Sequence, residues 1–200
     1  MTSQREKDFL AAIILIEKFS KMLATVSYIW GGLSIDIYKR QFLREHSDID
    51  YFVRDLQRIS RHLQDLLLSE GWTVVAILNN HLLVAIKDNV KLHLGHIEVD
   101  DVVKWKHNGN DGTITFPVSW LSENPVDFYG LKVHVVEPEF EYVIKSNPNL
   151  MNPKWTSRNK DRVEIEMLED ILVQRGVDND SLISRMTTGR GWVDQIRVQR

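Results

Sequence analysis

The chain has 200 residues, 43% of them hydrophobic and 26% charged, with a formal net charge of −3 and no cysteine. That length suits one well-packed α/β domain, or a core domain with a small helical appendage, and rules out two large domains. The charge balance lacks the basic excess that grips nucleic acid, and the lack of cysteine excludes disulfides, thiol catalysis and cysteine-ligated metal centres, in keeping with a cytoplasmic protein.

Residues Gln4 to Ala24 place Phe9, Ile13, Ile16, Phe19 and Leu23 at helical spacing, which predicts an amphipathic helix packed on a sheet. Its apolar run, Phe9 to Ile16, is too short to span a bilayer and ends at Glu17 and Lys18; no other stretch approaches transmembrane length. Tyr28-Ile29-Trp30 reads as a strand leading into Gly31-Gly32, and Leu33, Ile35, Ile37 and Tyr38 suggest a second helix. Lys39 to Ser47 is a polar connection into a strand that carries Asp48 and Asp50 and ends at Val53. Arg54 to Glu70 repeats Leu56, Ile59, Leu63, Leu66 and Leu67 on one face, with Gly71 as a helix stop. Trp72 to Leu78, Leu82 to Lys87 and Val90 to Val99 read as strands joined by hairpin turns at Asn79-Asn80 and Lys87-Asp88-Asn89.

Asp100 to Tyr129 reads as a loop-rich edge, with a turn at Asn108 to Gly112, a short strand at Thr113 to Phe116, and interruptions at Pro117 and Pro125. Leu131 to Val136 suggests a last short strand, and Glu137 to Lys145 a helix with Pro138 in its first turn. Asn147 to Arg158, with two prolines and three asparagines, reads as a linker that divides a core domain, 1–146, from a helical C-terminal extension, 147–200. Beyond it, Lys160 to Val173 predicts a helix with Val163, Met167, Leu168, Ile171 and Leu172 inward, and Ser181 to Met186 one more helical stretch. The tail from Thr187, with Arg190, Arg197 and Arg200, has no assignment.

Chemistry concentrates between Tyr28 and Val53. A helix reached over glycines presents N–H groups to an anion, so Gly31-Gly32 reads as a cradle over a triphosphate, with Ser34 as a hydroxyl donor to it. Alternate residues of a strand share a face, so Asp48 and Asp50 point the same way and can hold one metal ion together. Acidic residues also line solvated strand faces, but Ile49, Tyr51, Phe52 and Val53 make this run look buried, where carboxylates need a metal or donors. Asp36 either complements its helix dipole or has a functional role; Arg44 holds phosphate oxygens or braces the aspartates; His46 bonds a loop carbonyl or serves the site.

The ungapped pattern Gly31-Gly32, four residues on to Asp36, then Arg44-x-His46-x-Asp48-Ile49-Asp50, resembles the nucleotidyltransferase domain of antibiotic-modifying enzymes. The similarity is to the aminoglycoside 2''-nucleotidyltransferase and lincosamide nucleotidyltransferase groups, which share the DNA polymerase β-type fold, and it extends more weakly to about Leu172. The resemblance implies an α/β (α+β) fold, a small mixed β-sheet with helices packed on it, plus a short helical C-terminal part. It implies magnesium at Asp48 and Asp50, a nucleoside triphosphate such as ATP, a functional Arg44, and a Lys160-Asp161 pair in which the lysine approaches the nucleotide and the aspartate braces a helix start. Enzymes of these groups carry a third aspartate on a later strand, whereas Lys91-Leu92-His93-Leu94-Gly95-His96 places His93 there. Histidine can act as a general base but is a poor ligand for magnesium, which prefers oxygen. Glu98, Asp100 or Asp101 would replace it only in another register, since alternation puts Glu98 and Asp100 on the face of Leu92, opposite His93.

A zinc site at His93 and His96 lacks a spaced third ligand. Lys132 is a weaker phosphate candidate, and of Trp30, Trp72, Trp105, Trp120, Trp155 and Trp192 the loop-borne Trp105 and Trp120 are candidates to line an acceptor pocket. The resulting expectation is transfer of a nucleoside monophosphate to a hydroxyl of a small acceptor, aminoglycoside- or lincosamide-like. Two alternatives stand beside it: a catalytically weak nucleotide-binding module, and a toxin–antitoxin-type nucleotidyltransferase acting on RNA.

Overall fold

A computed structural model describes residues 3–77, 81–106, 113–151, 154 and 156–188. In chain order the elements are α1 (Gln4–Met22), β1 (Ser27–Trp30), α2 (Gly32–Tyr38), β2 (Ile49–Arg54), α3 (Leu56–Ser69), β3 (Thr73–Ile77), β4 (Leu82–Lys87) and β5 (Val90–Val99). There follow β6 (Val102–Lys106), β7 (Thr113–Pro117), β8 (Val126–Phe128), β9 (Leu131–Val133), α4 (Pro138–Ser146), α5 (Asn159–Gln174) and β10 (Thr187–Thr188). The chain divides into two compact units, the first made of residues 1–98 and 122–136, the second of 99–121 and 137–200.

The first unit holds a mixed sheet in the order β3, β4, β5, β2, β1, with β2 and β5 parallel and the other neighbours antiparallel. Each side chain on β2 is assigned a face by the two-residue period. Ile49, Tyr51 and Val53 enter the core with Leu92 and Leu94 of β5, where they meet Phe9, Ile13 and Ile16 of α1 and Leu56, Ile59, Leu63 and Leu67 of α3. Asp50 and Phe52 take the other face, and there Phe52 stacks on Trp30 with ring centroids 5.0 Å apart. α1 starts at a capping box, in which the Ser3 hydroxyl accepts from the Glu6 amide and the Glu6 carboxylate accepts from the Ser3 amide. A returning segment closes the β1 side: the Ile29 amide donates to the His134 carbonyl at 2.9 Å, and the Val136 amide donates to the Ile29 carbonyl at 3.0 Å.

In the second unit β6 and β7 form an antiparallel hairpin, and β10 pairs with β7. β7 matches the short strand expected at Thr113 to Phe116, whereas β6, and β8, which pairs with β9 in the first unit, are strands that the reading of Asp100 to Tyr129 as a loop-rich edge left out. β6 escaped because Val102, Lys104 and Lys106 face outward and only Val103 and Trp105 are buried, so five residues show just two core positions. Aromatic side chains fill this unit, with Phe116 against Phe140 at 4.7 Å and Trp120 stacked beside Phe116 at 6.4 Å. The division expected at 146/147 lies within this unit, because α4 packs on α5 and Lys145 donates to Glu164 at 2.7 Å. Val163 is half exposed, not inward, and the helical stretch expected from Ser181 consists of short 3₁₀ turns, Asn179–Ser181 and Ile183–Arg185. The turns at Asn79-Asn80 and Asn108 to Gly112, together with Trp155, Arg190, Trp192, Arg197 and Arg200, lie outside the described residues.

One strained point sits under α1. The Tyr51 hydroxyl and Glu17 Oε1 are shut off from solvent with no hydrogen-bond partner. Burial, opposed by the nearby Lys21 charge, raises the Glu17 carboxyl from 4.5 to about 7, and burial together with the Glu17 charge pushes the Tyr51 phenol well up. The folded chain therefore holds a proton that the unfolded chain releases, so stability falls as pH rises from 4.5 to about 7 and stays reduced above that. Glu17→Gln is expected to flatten this slope and to exceed the wild type by about 1–2 kcal/mol at pH 8, a figure discounted for the solvent contact Glu17 retains. Denaturant unfolding at pH 5 and pH 8 checks it, since an unchanged slope in the variant would place the charge elsewhere.

Candidate active site

Gly31 joins β1 to α2 with φ +79°, a conformation that other residues rarely adopt. A Cβ there would lie 2.7 Å from Asp50 Oδ2, so any larger residue would be strained at this φ and would have to push the Asp50 carboxylate aside. Ser34 is fully buried, and its hydroxyl donates to the Gly31 carbonyl at 2.8 Å. This corrects the expectation of a phosphate donor: the hydroxyl is spent bracing the turn that Gly31 makes.

Asp50 has Trp30 as its register partner on β1 and His93 as its partner on β5. His93 Nδ1 lies 2.9 Å from Asp50 Oδ1 and 3.9 Å from Asp48 Oδ2. Asp48 precedes the first residue of β2, and the Ser47 hydroxyl donates to its Oδ1 at 3.0 Å. The three side chains keep 34% (Asp48), 25% (Asp50) and 26% (His93) of their surface exposed, so the cluster is open to a ligand. Its donor set suits a hard divalent cation that takes two protein carboxylates and completes its shell with phosphate oxygens and water. His93 serves Asp50 as a hydrogen-bond donor, and among the described residues no group of three or more His, Asp or Glu side chains is arranged to hold a metal.

The alternative acids are placed elsewhere. Glu98 lies 3.6 Å from His96 Nε2, and Asp100 lies 3.6 Å from Lys104. His96 is buried on the core side of β5, across the strand from His93, and burial followed by the charge of His81 holds its imidazole below its ordinary value. The zinc reading of His93 with His96 therefore fails on strand alternation. Lys132 pairs with Asp127 at 3.2 Å. Trp105 and Trp120 are buried within the second unit, where they pack against Phe140 and Phe116.

Asp36 and His46, left open by the sequence, meet each other. His46 Nε2 lies 2.7 Å from Asp36 Oδ2, and both side chains are almost fully enclosed. Arg44 is more exposed; it donates to the Glu45 carbonyl at 2.9 Å and lines a hollow of about 290 Å³ with Arg5, Phe9 and Phe42. Lys160 is exposed in the first turn of α5. Asp161 braces that helix start, accepting from the Arg158 amide at 2.9 Å and from the Arg158 guanidinium. Burial raises the Asp161 carboxyl, but its bonds to Arg158 outweigh that and hold it below the usual range.

The structure of the lincosamide antibiotic adenylyltransferase LnuA with lincomycin bound is similar at 17% identity and TM-score 0.60, covering 79% of this chain and 94% of that one. The structure of ANT(2'')-Ia in complex with adenylyl-2''-tobramycin is similar at 17% identity and TM-score 0.62, covering 87% of this chain and 95% of that one. Both likenesses support the nucleotidyltransferase fold. No curated protein sequence matches the chain. The sequence profile of the aminoglycoside-2''-adenylyltransferase family matches residues 12–168, and the chain belongs to that family, as a nucleotidyltransferase.

Proposed function

We propose that this enzyme uses magnesium and a nucleoside triphosphate, ATP in the first instance, to transfer a nucleoside monophosphate to a hydroxyl of a small acceptor of aminoglycoside or lincosamide type, releasing pyrophosphate in the cytoplasm. The observation that carries the reading is the convergence on Asp50, whose carboxylate lies against the Gly31 turn on one side and bonds the His93 imidazole on the other. Asp48 and Asp50 would hold the magnesium, which when bound offsets negative charge on the phosphate oxygens. The backbone at Gly31-Gly32 would position the β and γ phosphates, with Ser34 fixing the shape of that turn. Arg44 would add a cationic contact to phosphate.

His93 suits the role of general base through its bonding. An ionised Asp50 accepts from Nδ1–H, which selects the tautomer whose Nε2 carries the lone pair. Nε2 is then the atom to take the acceptor hydroxyl's proton as oxygen attacks the α-phosphorus and the bond to pyrophosphate breaks.

Three substitutions test this. Asp48→Asn should abolish magnesium-dependent nucleotide binding, as read by calorimetry with a non-hydrolysable ATP analogue; unchanged affinity would remove Asp48 from the site. His93→Ala should keep that binding yet lower kcat by about 10²–10⁴-fold, the usual worth of a general base, and equal turnover in the two proteins would refute the role. Gly31→Ala should lose transfer while the fold survives in circular dichroism, because its methyl displaces Asp50. The assay incubates the enzyme with labelled triphosphates, magnesium, aminoglycosides, lincosamides and RNA. Label on RNA alone would favour the toxin-type reading, and nucleotide binding without any transfer would favour a binding module.

A further inference from the structure

We infer that Asp36 and His46 form a buried latch that positions Asp48, and so belong to the working parts of the site although neither faces substrate. The inference rests on the metal reading of Asp48 and Asp50 given above, and deepens it.

The two aspartates are held in different ways. Asp50 lies within β2 and is fixed by ladders on both sides, to Trp30 and to His93. Asp48 lies before the strand begins, outside both ladders. Its position therefore depends on the fixed points that flank it. One is Ile49, fully buried at the start of β2. The other is His46, two residues upstream, whose side chain and backbone are both anchored.

His46 is anchored from three directions. Its Nε2 bonds Asp36 Oδ2, which also accepts from the Leu43 amide at 2.9 Å, so one carboxylate oxygen gathers two points of the connection between α2 and β2. Its carbonyl accepts from Arg5 of α1 through Nε at 2.9 Å and through Nη2. Its ring lies near Phe9, centroid to centroid 6.4 Å, and the Arg5 guanidinium lies over the same Phe9 ring, 5.8 Å from its centroid. Only Ser47 and Asp48 separate this anchor from Ile49, and Ser47 bonds Asp48 directly. Two residues held at both ends have little freedom.

Asp36 also sits in α2, the helix that begins at the Gly31-Gly32 turn. The latch thus ties the element that carries the cradle to the residue that opens the metal pair. An apolar pair could fill the same space, but it would not fix one geometry: a single carboxylate oxygen shared by an amide and an imidazole N–H is directional. The same logic makes groups that orient metal ligands worth about 10–100-fold in affinity or activity when they are removed.

The test compares His46→Leu, His46→Gln and Asp36→Ala with the wild type, all in the full chain. Manganese binding with a non-hydrolysable ATP analogue is followed by electron paramagnetic resonance, loop mobility by Leu43 amide exchange, and turnover as kcat and KM separately. His46→Leu and Asp36→Ala are expected to speed Leu43 exchange, weaken manganese binding about 10–100-fold and lower kcat, with acceptor KM unchanged. His46→Gln, whose amide N–H can reach Asp36, is expected to restore most of the manganese affinity. The latch is overturned if Leu43 exchange quickens while manganese affinity stays at the wild-type value, or if the glutamine variant binds as poorly as leucine. Failure of the underlying metal reading is distinguishable, since it would appear in the wild type as manganese binding that Asp48→Asn does not alter.

Discussion

The parallel pairing of β2 with β5 is the constraint on which the first unit's chemistry depends. It sets Asp50 beside His93, and a slip of one residue would turn Asp50 into the core. The hydrogen bond between them is too weak to hold that register by itself, at about 1.5–3 kcal/mol for a charged partner. Ile49, Tyr51 and Val53 are fully buried on the opposite face, and enclosing an aliphatic side chain such as Ile49 or Val53 is worth about 1.5–3 kcal/mol. The core therefore holds the strand in place, and the pairing of Asp50 with His93 on the other face follows from it.

The same pair of side chains, aspartate with histidine, occurs twice in this unit with different surroundings. Asp36 and His46 are enclosed, and their hydrogen-bonding capacity is directed at the chain itself. Asp50 and His93 keep about a quarter of their side-chain surface exposed, so one end of the pair can meet another molecule. The chemical groups are identical, and burial decides which pair is closed on the chain itself and which stays open to another molecule.

Legibility in the sequence followed the range of the interaction. Asp48 and Asp50 could be assigned a common face from the two-residue period alone, and Gly31 stood out because few residues can replace it. His93 could be placed opposite an aspartate only through likeness to a family, because pairing between β2 and β5 spans some forty positions, as Asp50 with His93 shows. The partnership of Asp36 with His46 left no periodic trace, being a loop contact between residues of ambiguous type. Ser34 was misread for a related reason: its hydroxyl could have turned toward solvent, and the short reach back to Gly31 appears only once the turn exists. β6 was hidden by lysines on its outer face, and Val163 looked inward because a helical stripe drawn from sequence is wider than the face that α5 buries.

The first unit is assembled from two stretches of chain, and the later stretch supplies both backbone partners of Ile29. During synthesis from the N-terminus, β1 can pair with β2 as soon as residue 54 is available, but its other edge stays open until His134 and Val136 have been made. An open strand edge is a template for pairing with another chain. The nascent protein thus carries an open β1 edge next to Gly31 for roughly 80 residues of elongation, a period of about 4–16 s at ordinary translation rates.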